Sequence, residues 1–250
     1  MAVKRLTFKN NIKMKSTFLA LGIVALMASC AGQQKPEQDA NTETETHVLH
    51  AKDVEPLSPD SVLSLLKEGN EAFVEHHTHN RDAVAQLKES SRDGQHPLAI
   101  VLSCIDARVP VEIIFDKGVG DVFVTRVAGN VVSGDILGSM EYACEHSGSK
   151  VVVVLGHKQC GAVHSACAGV KAGNMTDMLA KIQPAIDSLK TKDTNLEDEA
   201  FQNEVSKKNA LNMVEAVRKG SQILKEMEEK GEIKIVPALF DLETGHVEFF

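Results

Sequence analysis

The chain predicts an α/β fold with a mainly parallel central β-sheet flanked by helices, and three observations support this. Residues 97–102 and 151–155 are short apolar runs, as strands covered on both faces are, and residues 121–127 read as a further strand through Val122, Phe123, Val124 and Val127. Stretches with helical periodicity alternate with these runs, which is the pattern of a parallel sheet with crossover helices. At the C-terminus, residues 233–239, the turn Glu243-Thr244-Gly245 and residues 247–250 read as a terminal hairpin.

The elements follow in order. Ser58-Pro59-Asp60 supplies an N-cap and a first-turn proline, and Val62, Leu65, Leu66 and Phe73 fall on one face of the helix that follows. His76, His77 and His79 close that helix and read as a solvated end where cations are welcome, in preference to a metal site. The first strand ends at Cys104. Pro110 opens a short helix containing Val111, Ile113, Ile114 and Phe115, which breaks at Gly118 and Gly120. The second strand, with Val122, Phe123, Val124 and Val127, ends at Ala128-Gly129-Asn130. Gly134-Asp135 starts a helix with Ile136, Leu137, Met140, Ala143 and Cys144 inward, ended by Gly148. The third strand runs into His157, and residues 162–168 continue as a helix. A polar segment comes next, then one long helical stretch over residues 199–229.

Composition narrows the function classes. The chain has 250 residues, 43% hydrophobic, enough for one globular domain with appendages. It has no Trp and one Tyr, so it lacks stacking platforms for single-stranded nucleic acid. Net charge is −8, and −13 once the five basic residues of the first 29 are set aside, which disfavours any polyanionic partner. No nucleic-acid partner is expected.

The N-terminus reads as an address. Residues 1–15 carry Lys4, Arg5, Lys9, Lys13 and Lys15 and no acid. Residues 17–27 form an apolar run too short to span a bilayer, which takes about 20 residues. Leu26-Met27-Ala28-Ser29-Cys30 then resembles the lipobox of bacterial lipoprotein signals, with Met27 where Leu is commoner. In such signals the Cys receives lipid and becomes the new N-terminus. An ordinary cleaved signal is the alternative, and Met14-Lys15 makes a more typical start than Met1. The expected organisation is a signal peptide over 1–29, a lipidated tether over 30–55 too polar to fold alone, and a catalytic domain over 56–250. Such a protein is exported and membrane-anchored through lipid on Cys30, on the periplasmic or cell-surface side; a soluble secreted form is the alternative.

The chemistry centres on His157-Lys158-Gln159-Cys160-Gly161, at the end of the third strand. An imidazole and a thiol three residues apart can converge on one metal ion, and Zn²⁺ takes about four N or S ligands. The further thiol is Cys104, in Ser103-Cys104-Ile105-Asp106-Ala107-Arg108, which ends another apolar run. Strand ends at one sheet edge are where α/β proteins place their chemistry. Cys144 and Cys167, within helical patterns, read as core thiols.

Cys104-x-Asp106-x-Arg108 together with His157-x-x-Cys160-Gly161 resembles the two signature motifs of the β-class carbonic anhydrases. The resemblance covers the chain from about Ser58 to the C-terminus. Gln95 lies nine residues before Cys104, as a Gln does in that family, and Phe123 and Tyr142 match a family Phe and Tyr. Arg126-Val127-Ala128-Gly129-Asn130 matches a family segment that often has Asn at the Val127 position, and Glu68-Gly69-Asn70 with Phe73 resembles the family's N-terminal helical arm.

The resemblance implies reversible hydration of CO₂ to bicarbonate and a proton by zinc-bound hydroxide, with one Zn²⁺ per chain on Cys104, His157 and Cys160. It implies that Asp106 accepts a hydrogen bond from that hydroxide and that Arg108 keeps Asp106 ionised. Gln95 and the Gly161 N–H would donate to CO₂ or bicarbonate, and Phe123, Ala128 and Tyr142 would line an apolar CO₂ pocket. That pocket is completed across a dimer interface in the family, so a homodimer or tetramer is implied. Some members have a closed state, in which the residue here numbered Asp106 joins the metal and Arg108 is released. His146 and His164 are proton-shuttle candidates on position alone. The alternatives are a COS or CS₂ hydrolase on the same site, and a non-catalytic zinc- or bicarbonate-binding lipoprotein. The latter would lose the Asp–Arg pair or gain a fourth protein ligand. A thiol redox protein would need the Cys-x-x-Cys pair that is missing here.

Overall fold

The computed structural model of the chain describes residues 48–250. The expected signal over 1–29, the lipidation at Cys30, the choice of start between Met1 and Met14 and most of the tether lie outside the described residues.

One five-stranded sheet organises the domain. β1 (Ala99–Ser103) lies between β2 (Val122–Arg126) and β3 (Val151–His157). β4 (Lys234–Phe240) flanks β3, and β5 (Val247–Phe249) closes the far edge, giving the order β2-β1-β3-β4-β5. β1 to β4 run parallel and β5 is antiparallel to β4, so the predicted mainly parallel sheet and terminal hairpin are both present.

Every residue of β1 and β3 is buried, because helices cover both faces. Alternation along the strands sorts their side chains into two layers. Ala99 and Val101 of β1, with Val151, Val153 and Leu155 of β3, face one layer. It is filled from α1 (Ala51–Val54), α2 (Pro59–Val74) and, after α3 (Ala83–Asp93), α4 (Val111–Ile114), through Val54, Val62, Leu66, Val111 and Ile114. Ile100, Leu102, Val152 and Val154 face the other. There α5 (Gly134–Glu141), running into a π turn (Tyr142–His146), contributes Met140, Ala143 and Cys144. α6 (Gly161–Cys167), α7 (Met175–Ala180), α8 (Gln183–Leu189), α9 (Glu199–Gly220) and α10 (Gln222–Glu229) complete that layer. Among the described residues, no helix is long and apolar enough to cross a membrane.

Several elements differ from expectation. The stretch over 199–229 is two helices, because Ser221 leaves helical geometry (φ −127°, ψ 110°) and its hydroxyl accepts from Leu224 N–H at 3.2 Å, capping α10. Gly220 just before it packs so closely on α5 that an added Cβ would lie 2.6 Å from Leu137 Cδ1. The polar segment after α6 folds as α7 and α8, which bury Leu179, Ile182, Ala185 and Ile186 on one narrow stripe amid polar residues. α3 was not expected, since it buries only Gln86 and so has no apolar period; Asp82 caps it by accepting from Val84 and Ala85 N–H. His79 does not end in solvent alone: its Nδ1 is 2.6 Å from Oδ2 of buried Asp116, whose Oδ1 accepts from Arg81. The packed domain begins upstream of residue 56, since Val48 and Val54 are both buried.

The helical arm is fixed by Asn70. Its amide donates to Ile114 O (3.2 Å) and Gly245 O (2.9 Å), and its Oδ1 accepts from Val247 N–H (2.8 Å), tying α2 to α4 and to the hairpin. Beside it, Gly69 permits a very close helix approach, because a Cβ there would sit 1.9 Å from Phe115 O. Gly69→Ala is expected to lower stability by about 1–3 kcal/mol or more through this backbone clash, read as a fall in denaturant midpoint. An unchanged midpoint would contradict the close approach.

Candidate metal centre

Because β1 and β3 are parallel neighbours, their C-terminal ends emerge at the same sheet edge. Cys104 follows β1 directly, His157 is the last residue of β3, and Cys160 is the N-cap of α6. One ligand atom from each of these three buried residues lies within 4.8 Å of the other two. His157 Nδ1 is 2.8 Å from the Lys158 carbonyl, so Nδ1 carries the proton and Nε2 presents a lone pair. That Nε2 is buried and has no hydrogen-bond partner. A buried, unpartnered imidazole nitrogen beside two sulfurs fits a borderline-soft divalent cation such as Zn²⁺, with a fourth position left for a non-protein ligand.

Backbone geometry holds the ligands in place. Between His157 and Cys160, Gln159 takes a left-handed conformation (φ 53°), and its N–H donates to Asn203 Oδ1 at 2.8 Å. After β2, residues 128–130 form a single 3₁₀ turn, in which Gly129 (φ 69°) directs its N–H at Cys104 Sγ, 3.4 Å away. Arg126 braces the Cys104 loop by donating to the Cys104 carbonyl (2.9 Å) and to the Asp106 carbonyl.

The two ligand thiols differ in acidity. The neighbouring Cys160 thiol holds Cys104 below the usual thiol range, helped by the Gly129 N–H and opposed by burial. The Cys104 sulfur and burial push Cys160 up. A divalent cation bound there would hold both as thiolates. Burial alone pushes Cys144 up to about 12 and raises Cys167, as inert core thiols require.

Asp106 lies beside this cluster, gripped by Arg108. Arg108 grips it with Nε to Oδ1 (2.9 Å) and Nη2 to Oδ2 (2.8 Å), and the Arg108 N–H adds a third bond (2.9 Å). The guanidinium holds the carboxyl well below the usual carboxylate range against the effect of burial. Oδ2 remains 3.9 Å from His157 Nε2. Asp106 is thus paired with Arg108 and is not one of the clustered ligands.

The remaining predicted residues divide into two groups. Ala128 stands in the Gly129 turn next to Cys104, and Gly161 opens α6 beside Cys160, with no atom within 4 Å of where its Cβ would be. Gln95, Phe123 and Tyr142 do not join the ligands within one chain. Gln95 is exposed next to Gly120, before β1, and the five residues of β1 alone put about 16 Å between that edge and Cys104. Phe123 and Tyr142 pack edge to face (6.4 Å between centroids) in a separate cleft of about 710 Å³, with Tyr142 more than half exposed. His146 stacks on Tyr142 at 4.7 Å, and His164 Nδ1 is 3.3 Å from Gln202 Oε1.

The family model for carbonic anhydrase matches residues 99–247. This chain belongs to the carbonic anhydrase family, β class. Carbonic anhydrase 2 of Mycobacterium tuberculosis is 33% identical over 193 residues, spanning 75% of this chain and 91% of that one. The Coccomyxa β-carbonic anhydrase, solved in complex with acetazolamide, superposes with a TM-score of 0.59 at 25% identity, covering 75% of this chain and 86% of that one. A structure from a study of two tetrameric β-carbonic anhydrases of Sordaria macrospora also reaches 0.59, at 21% identity over 73% of this chain and 93% of that one, a likeness of fold.

The difference in acidity has a spectroscopic consequence in this β-class chain. Reduced, metal-free protein is expected to show the ultraviolet absorbance of one thiolate at neutral pH, because Cys104 is held below and Cys160 above the usual thiol range. Two thiolates, or none, at neutral pH would contradict that difference.

Proposed function

We propose that this protein catalyses the zinc-dependent, reversible hydration of CO₂ to bicarbonate and a proton. The observation that carries the reading is the unpartnered Nε2 of His157 among the Cys104 and Cys160 sulfurs, with Asp106 fixed beside it by Arg108. Cys104, His157 and Cys160 would hold Zn²⁺. Zinc supplies a Lewis acid that lowers the pKa of water from about 15.7 to about 7, a value established for carbonic anhydrase and not read from these residues.

The chain's own groups would do the rest. Asp106, held ionised, can only accept a hydrogen bond, so it orients the O–H of the attacking water and leaves a lone pair for CO₂. Arg108 keeps Asp106 in that role and off the metal. The Gly161 N–H, with open space at its Cα, is placed to donate to a bicarbonate oxygen. Gln95, Phe123 and Tyr142 would act from a second copy of the chain, since their own chain keeps them away from its ligands. Their cleft borders the exposed sheet edge formed by β2. A homodimer or tetramer follows from that division. His146, stacked on Tyr142, is the better placed of the two candidate proton carriers. Export and a lipid anchor at Cys30 rest on the basic, apolar and Leu-Met-Ala-Ser-Cys pattern of residues 1–30.

Stopped-flow CO₂ hydration with zinc counted per chain tests the reading. Fast hydration at one zinc per chain is expected, falling by about 10²-fold or more in Asp106→Asn with zinc retained. Full zinc occupancy without hydration would overturn it and favour COS, CS₂ or a binding role. In sedimentation, the protein should run as a dimer or tetramer, and a monomer with full activity would remove the need for a second copy.

A further inference from the structure

We infer that Asn209, in the middle of α9, is a positioning residue of the metal centre, pinning the Gly129 turn so that its N–H meets Cys104 Sγ. This rests on the reading that Cys104, His157 and Cys160 hold the metal.

Asn209 is an anomaly in its helix. It is buried, and Val205, Ala210, Met213, Val214 and Val217 of the same helix are buried apolar residues. An amide in a helix interior facing an apolar core is destabilising unless its polar atoms are bonded. Only half of this one is: Nδ2 donates to the Gly129 carbonyl at 2.9 Å, while Oδ1 has no partner. A residue serving packing alone would be better replaced by Leu, so the bond to Gly129 is what the amide contributes.

That bond lands on the hinge of the turn. The peptide after Gly129 is held at both ends, its carbonyl by Asn209 and its N–H (that of Asn130) by Val127 O at 2.9 Å. Gly129 sits at φ 69°, where its backbone has wide freedom, and the pinned peptide fixes the direction of the Gly129 N–H on the other side of Cα. That N–H reaches the Cys104 sulfur. A second side chain of α9, Asn203, holds the Gln159 N–H in the other ligand loop. The helix therefore braces both loops that carry the ligands. Donors to ligand atoms orient a metal site, and their removal typically weakens metal affinity about 10–100-fold.

The test uses the full chain, loaded with Zn²⁺ for release to a chelator and with Co²⁺ for the sulfur-to-cobalt charge-transfer band. In Asn209→Leu, release is expected to quicken by about 10-fold or more. The band should move to lower energy, because a sulfur relieved of its N–H bond gives up electrons more readily. Asn209→Ser, which leaves a small cavity, should behave alike and decides the matter if the Leu variant does not fold. Val214→Ala in the same helix, buried with no polar bond to the site, should lower the melting temperature without moving the band. The inference is overturned if folded Asn209 variants keep the wild-type band and release rate, or if Val214→Ala shifts the band as far. Wild-type protein that takes up neither metal would overturn the metal reading and this one together; one metal per wild-type chain with unaltered variants overturns only the role of Asn209.

Discussion

The parallel register of β1 on β3 governs this molecule. Leu102 pairs with Val154, so Cys104, two residues on, and His157, three residues on, leave the sheet side by side. The chain order reverses between these two strands: β2 lies outside β1 on one side, and β3 and β4 continue on the other. Open α/β sheets bind ligands beyond the carboxyl ends of strands at such a reversal, because the flanking connections diverge there and leave a crevice. A slip of one residue would exchange the two faces of a strand. Burial of β1 and β3 on both faces, in two separate apolar layers, forbids it. The core on either side of the sheet therefore sets the distance between sulfur and imidazole at its edge.

Around that edge the site's charges are arranged before any cation arrives. Cys104 is held below the usual thiol range, His157 is fixed in the tautomer that leaves Nε2 open, and Asp106 is held by a bidentate guanidinium. Asp106 is ionised wherever the protein is folded near neutrality. Its carboxyl sits below its ordinary value, so the stability it lends is complete above the unfolded carboxylate range and lost only as pH falls through its depressed folded value. Much of the bracing comes from elements remote in sequence: Arg126 at the end of β2, Gln159 in its left-handed turn, and Asn203 and Asn209 from α9.

The substrate side is split by the same topology. Residues at the C-terminal ends of β1 and β3 meet the ligands, whereas Gln95 precedes β1 and Phe123 and Tyr142 lie on the flank of the edge strand β2. A half-exposed edge strand beside an open aromatic cleft is surface that monomeric proteins seldom leave uncovered.

Sequence alone determined the sheet, its mainly parallel sense, the terminal hairpin and the three clustered ligands, because apolar runs and the His157-x-x-Cys160 spacing are local signals, and Cys104 was marked by its place at the end of another apolar run and by the family motif around it. It missed α3, α7 and α8, which bury too few apolar residues to show a period, and it ran α9 into α10 because a Ser cap looks like any other polar residue in a helix. One signal was present and unread: Asn209 stands among buried apolar positions of α9. Whereas the Asp106–Arg108 pair was already expected, only the tertiary structure decided that Gly129 aims its N–H at Cys104, and that Gln95 and Tyr142 lie away from their own chain's metal ligands. Those outcomes depend on left-handed backbone conformations and on which strand lies next to which, and neither leaves a periodic trace in the order of residues.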